Sequence, residues 1–197
     1  MKTTLHDYLI ESSAAVTAAA GSIRQDVMDG AVECIVAAFG AGKPLLLCGN
    51  GGSASDAMHI TGELVGRFLR ERRALKAICL SDNPVMLTAW SNDYSFETVF
   101  ARQVEAYGEK DAVLLGISTS GASKNVIAAF EQARKMEMKT IALTGEDGGQ
   151  LGALADYLLA VPCRHTPLIQ QVHTCLYHYL CGRVEERLVA IEMAGRL

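Results

Sequence analysis

Three short stretches place glycines, hydroxyls and amides where a ligand could be held. They are Gly49-Asn50-Gly51-Gly52-Ser53, Ser118-Thr119-Ser120-Gly121-Ala122-Ser123 and Thr144-Gly145-Glu146-Asp147-Gly148-Gly149. Each follows a short apolar run. Glycine lets the backbone approach a ligand closely. Hydroxyls and free N–H groups at a helix start bind anions, because that end of a helix carries partial positive charge. The second stretch offers four hydroxyls within six residues (Ser118, Thr119, Ser120 and Ser123) just ahead of a helical segment, which makes it the best phosphate candidate in the chain. The same residue types also suit an N-cap and turn, but two such loops at successive strand ends favour a ligand. Neither is a dinucleotide or nucleotide-triphosphate loop: Gly49-x-Gly51-Gly52 is not G-x-G-x-x-G, and no G-K-[ST] follows.

Two further groups could do acid–base or metal chemistry. His59, Glu63 and Arg67 are spaced i, i+4, i+8 and share one helix face. They are either a solvated stripe with a Glu63–Arg67 pair, worth a few tenths of a kcal/mol, or the polar lining of a site that begins at the first loop. The apolar neighbours Met58, Ile60, Leu64 and Val65 indicate a largely buried helix, which weakens the solvated reading. Gln170, Thr174 and His178 form a second stripe, with His178 set among Leu176, Leu180 and Cys181. A histidine on so apolar a face also fits a satisfied core residue. Eight residues span about 12 Å of helix axis, so Gln170 and His178 meet one ion only by reaching inward from either side. Spacing alone does not establish a metal, and His173 is a rival ligand.

The elements that must position these groups alternate. Residues 4–39 are Ala-rich and helical in period, with a break expected at Gly21. Short apolar runs follow at 44–48, 77–80, 112–117, 140–144 and 157–161, the pattern of strands buried on both faces. Helices are expected from Ser53 to about Arg72, over 86–107 with a break near Ser91-Asn92-Asp93, after Ser123 to about Met136, and from Pro167 to about Ala194. This alternation implies one doubly wound α/β domain, a five-stranded parallel sheet flanked by helices, spanning 1–197. The helical extension, residues 1–40, is too apolar to stand alone and is expected to pack against another subunit.

Composition sets the outer bounds. A chain of 197 residues can build one full core, and half its residues are hydrophobic, so it is not disordered. A net charge of −4 and 6% aromatics argue against a nucleic-acid coat or stacking platform. No apolar run reaches the roughly 20 residues of a membrane span. The start, MKTTLHDYLIESS, carries His6, Asp7 and Glu11 where a signal peptide needs an apolar stretch. The six cysteines form no C-x-x-C pair and read as buried free thiols. A cytoplasmic location is expected.

Taken in order, CGNGGSASDAMH, the His59–Glu63–Arg67 segment, ISTSGAS, ALTGEDGG and IQQVH with the later His178 resemble the sugar isomerase (SIS) domain family, and within it the phosphoheptose isomerases. The resemblance covers nearly the whole chain. It implies a five-stranded parallel sheet, a cytoplasmic homotetramer with active sites between subunits, and interconversion of sedoheptulose 7-phosphate and D-glycero-D-manno-heptose 7-phosphate through an enediol. That reaction is the first step toward activated heptose for lipopolysaccharide or capsule. By resemblance, Asn50, Gly51, Gly52, Ser53, Arg67, Asn92, Asp93, Ser118, Thr119, Ser120, Ser123 and Gln170 contact substrate. Glu63 and His178 are the implied catalytic pair. His59, Glu63, Gln170 and His178 are the implied ligands of one zinc ion per subunit. The chain departs from the family pattern at Leu168, where Arg or Lys is usual, at Gln171, where Glu is usual, and by an extra residue within 81–85. The alternatives weighed are a non-catalytic adaptor of the same fold that binds a replication-initiator protein, a sensor controlling transcription, and another phosphosugar isomerase. The adaptor type lacks the Glu and the last His, and the sensor usually carries a DNA-binding domain for which this chain has no room.

Overall fold

The structure, a computed structural model, describes residues 4–195. Two helices lead, α1 (Leu5–Ser22) and α2 (Gln25–Gly40). The break falls at Ile23-Arg24, two residues beyond Gly21. The α1 start is a capping box: the Thr4 hydroxyl accepts the Asp7 N–H, and the Asp7 carboxylate accepts the Thr4 N–H. Then follow β1 (Leu45–Gly49), α3 (Gly52–Val65), β2 (Ala77–Cys79), α4 (Pro84–Asp93), a 3-10 turn (Phe96–Thr98), α5 (Val99–Tyr107), β3 (Val113–Ser118), α6 (Lys124–Lys135), β4 (Lys139–Thr144), α7 (Gly149–Gly152), β5 (Tyr157–Ala160) and α8 (Thr166–Met193).

All neighbouring strands pair in parallel, in the order β2-β1-β3-β4-β5. Central strands β1 and β3 are buried along their whole length, which is why they read as unbroken apolar runs. Their side chains alternate between two cores. Leu45, Leu47, Val113, Leu115 and Ile117 face the core under α2, α3 and α8. Leu46, Cys48 and Leu114 face the core under α5 and α6. The order reverses between β1 and β3, so the crevice beyond their carboxyl ends is where a doubly wound sheet binds ligands.

Several expectations are corrected. The helix after the first loop ends at Val65, not near Arg72. The cause is remote: Glu185 of α8 accepts the N–H groups of Phe68, Leu69 and Arg70 at 2.8, 2.8 and 3.1 Å, which bends the chain away from helical pairing. The break within 86–107 lies at Tyr94-Ser95 rather than Ser91–Asp93, because Ser95 caps the 3-10 turn by accepting the Glu97 N–H. The cysteines are all free, but only Cys48, Cys79 and Cys181 are buried; Cys34 and Cys163 are partly covered and Cys175 is exposed. Leu168 and Gln171, the two substituted positions, both serve the N-terminal extension. Leu168 packs with Ala15 and Ala19 of α1, and Gln171 donates to the Tyr8 hydroxyl at 2.9 Å.

Candidate active site

Two loops meet at the β1/β3 switch point. Asn50 leaves β1 and Asn125 opens α6, and their side-chain amides exchange hydrogen bonds of 2.8 and 2.9 Å. Asn125 is 3% exposed and was not legible in the sequence, since its role depends on a partner 75 residues away. The Ser118–Ser123 loop is tightly built. Ser118 is buried and its hydroxyl lies 2.9 Å from that of Ser123, so Ser123 is held by Ser118 and no side chain caps α6. Gly121 sits at φ +61°, and a Cβ there would lie 2.1 Å from the Gly148 carbonyl oxygen, so only glycine brings the second and third loops together. Neither α3 nor α6 has an acidic residue in its first turn, which leaves both N-termini electropositive. Thr119 and Ser120 border a cavity of about 240 Å³ with Arg164 at its rim. Arg164 is ion-paired with Glu146 and lies 3.5 Å from Asp147. The sequence reading missed this cation because it stands in an irregular loop with no spacing signal.

Down α3 from that crevice, His59 and Glu63 face α8. His59 Nε2 is 3.0 Å from Glu63 Oε1. His178 arrives from α8, its ring 5.1 Å from that of His59 and nearly perpendicular to it. His59, Glu63 and His178 each offer one ligand atom, and these atoms lie within 4.8 Å of one another. It is the one such cluster of His, Cys, Asp and Glu among the described residues. Phe68, from the bend after α3, stacks on His178 at 5.4 Å and 11°. Asp56, one turn before His59, is half-buried, and desolvation pushes its carboxyl up to about 6 against the pull of Tyr177 and His59.

The remaining expected residues fall elsewhere in the chain. Gln170 lies over the start of α3: a Cβ on Gly52 would come 2.3 Å from its Nε2. His59 lies seven residues, about 10 Å of helix axis, further along α3. Arg67 lies beyond the end of α3 and pairs with Glu71 at 3.1 Å, not with Glu63. Asn92 and Asp93 are exposed at the end of α4, where Asn92 donates to Asp93 at 2.9 Å. His173, the rival ligand, is fully buried away from the cluster and donates from Nε2 to the Thr144 carbonyl at 3.1 Å. Burial pulls its imidazole down to about 4, so it is a neutral core residue.

A divalent ion suits the three-residue cluster on chemical grounds. Two imidazoles and a carboxylate are the donor types of catalytic zinc, with a further position left for substrate. Two ligands on a tetrahedral zinc stand about 3.3 Å apart, close to the observed 3.0 Å between His59 and Glu63.

Known proteins share these features. The sequence profile of the SIS domain matches residues 7–145, ending before the helix that carries Gln170 and His178. A phosphoheptose isomerase of Crocosphaera subtropica is 56% identical over 152 residues, covering 77% of this chain and 78% of that protein. One of Helicobacter pylori is 49% identical over 161 residues, covering 82% and 84%. The solved structure of a phosphoheptose isomerase from Neisseria gonorrhoeae superposes with a TM-score of 0.87 at 38% identity, covering 92% of this chain and 97% of that one. With likeness of this extent in both sequence and fold, the chain belongs to the SIS domain family and, within it, to the phosphoheptose isomerases.

Proposed function

We propose that the chain is an aldose–ketose isomerase interconverting sedoheptulose 7-phosphate and D-glycero-D-manno-heptose 7-phosphate. The observation that carries this reading is the convergence of Glu63 with His59 and His178, on the helix that follows the Asn50 loop, which is hydrogen-bonded to Asn125 at the start of α6. Isomerisation moves one proton between C1 and C2 and another between their oxygens, through an enediol. Glu63 takes the proton from carbon and returns it to the neighbouring carbon. His178 exchanges protons with the oxygens, its ring held by Phe68. A zinc ion bound by His59, Glu63 and His178 would polarise the carbonyl and stabilise negative charge on the enediol oxygens. A non-catalytic adaptor would need neither Glu63 nor His178.

The phosphate is assigned to the Ser118–Ser123 loop and the α6 N-terminus, remote from the reacting carbons, where binding energy goes into positioning. Asn50, Gly51 and Gly52 follow β1 at the same end of the sheet, and Ser53 is buried behind them. Ser120→Ala should raise KM for the phosphosugar about tenfold with kcat little changed, the cost of one hydrogen bond to a charged group. An unaltered KM in steady-state kinetics places the phosphate elsewhere.

We assign Arg67, Asn92, Asp93 and Gln170 to a site completed by assembly. We propose a homotetramer with sites between subunits and α1 of the N-terminal extension as part of the contact, while α2 packs in this chain's own core. Leu5, Leu9 and Ile10 of α1 are exposed, and α4 buries no residue in the single chain. The chain is assigned to the cytosol, a reducing compartment that suits six free cysteines.

Metal dependence separates two versions of the mechanism. Chelation should abolish turnover of sedoheptulose 7-phosphate, added zinc should restore it, and mass spectrometry should count one zinc per chain. Turnover indifferent to chelation would leave Glu63 and His178 as a metal-free acid–base pair.

A further inference from the structure

His59 is held on both ring nitrogens. Its Nε2 faces Glu63, and its Nδ1 lies 3.0 Å from the hydroxyl of Tyr177. Tyr177 is 2% exposed and precedes His178, so one helix turn supplies both a candidate ligand and a partner for the other histidine. Its ring meets both imidazoles edge-on, with centroids 5.4 Å from His59 and 4.9 Å from His178. Asp56, three residues before His59 and on the same face of α3, stands beside the Tyr177 hydroxyl. Asp56 Oδ2 is buried and has no hydrogen-bond partner among the described residues.

Hydrogen counting ties the direction of the Tyr177–His59 contact to cation binding. The phenol has one hydrogen and a neutral imidazole has one N–H. If the phenol donates to His59 Nδ1, the ring hydrogen sits on Nε2 facing Glu63, and no lone pair is left there for a cation. If the phenol oxygen instead accepts the His59 Nδ1–H, the phenol hydrogen is free to turn toward Asp56. The Nε2 lone pair is then turned toward Glu63 and His178. We infer that Tyr177, backed by Asp56, is a positioning residue that fixes the tautomer and ring plane of His59, so that Nε2 presents a lone pair to a divalent cation shared with Glu63 and His178. This rests on the metal reading above, and follows the general rule that a metal-binding histidine is oriented through its other nitrogen.

The test is zinc affinity, measured on the purified chain by competition with a chromogenic chelator after metal removal. Tyr177→Phe keeps the ring and deletes only the hydroxyl. It should bind Zn2+ about 10–100-fold more weakly than the unmodified chain, with unchanged circular dichroism and unfolding midpoint. Asp56→Asn should shift affinity the same way. Tyr179→Phe is the control: its hydroxyl accepts from Gln25 Nε2 at 3.1 Å, away from the cluster, and its zinc affinity should match the unmodified chain. Equal zinc affinity in Tyr177→Phe and the unmodified chain overturns the positioning role while leaving the metal reading intact. Failure of the unmodified chain itself to bind zinc overturns both.

Discussion

Glu63→Gln is expected to lower kcat by about 10²–10⁴-fold, the range that a positioned general base contributes. KM should change little, because the phosphate loop is untouched. Folding should be intact: the Glu63 side chain is 21% exposed, and its close polar partner among the described residues is the His59 ring. An amide of the same shape retains an oxygen that can still approach a cation but cannot take a proton from carbon. If the variant were folded and turned over near the normal rate, the base would have to be another group.

Glu185→Gln should produce the largest loss of stability. Glu185 and Arg72 pair at 3.0 Å with both side chains fully buried. Burial alone would push the Glu185 carboxyl up, but the N–H groups of Leu69, Phe68 and Arg70, together with Arg72, hold it below the usual carboxylate range. The stabilisation is therefore present at neutral pH and fades on acidification through the carboxylate range. Glutamine removes the charge facing Arg72 and turns an NH2 toward backbone N–H groups that need an acceptor. Breaking a buried pair on one side costs about 3–5 kcal/mol, which for a chain of this size lowers Tm by about 6–20 °C. An unfolding free energy from urea titration within about 1 kcal/mol of the unmodified chain would show that the pair is not the anchor of the segment after α3. Activity should fall as well, since the same bend carries Phe68 onto His178 and Arg72 donates to the Glu63 carbonyl at 2.8 Å.

That pair also explains where the sequence was and was not legible. Strand positions could be read because β1 and β3 are buried on both faces and leave unbroken apolar runs. The anion loops could be read because glycines and hydroxyls cluster at strand ends. The end of α3 could not: the periodicity through Arg67 is real, but Glu185, more than a hundred residues later, takes the backbone N–H groups that would have continued the helix. Asn125 and Tyr177 escaped for the same reason. Each acts through a side chain distant in sequence, Asn50 and His59 respectively, and neither carries a local motif. The pairing of Glu63 with His178 came from family resemblance, and the packing of α8 against α3 supplies its physical basis. The roughly 12 Å that separates Gln170 from His178 along α8 was legible in advance.

Exchange at carbon tests the central claim most directly. Sedoheptulose 7-phosphate would be incubated with the purified chain in deuterated water and followed by NMR. An enediol route through Glu63 predicts formation of D-glycero-D-manno-heptose 7-phosphate with deuterium at C2, and both signals lost in Glu63→Gln. Absence of product and of exchange from the folded, zinc-supplied chain would contradict the account.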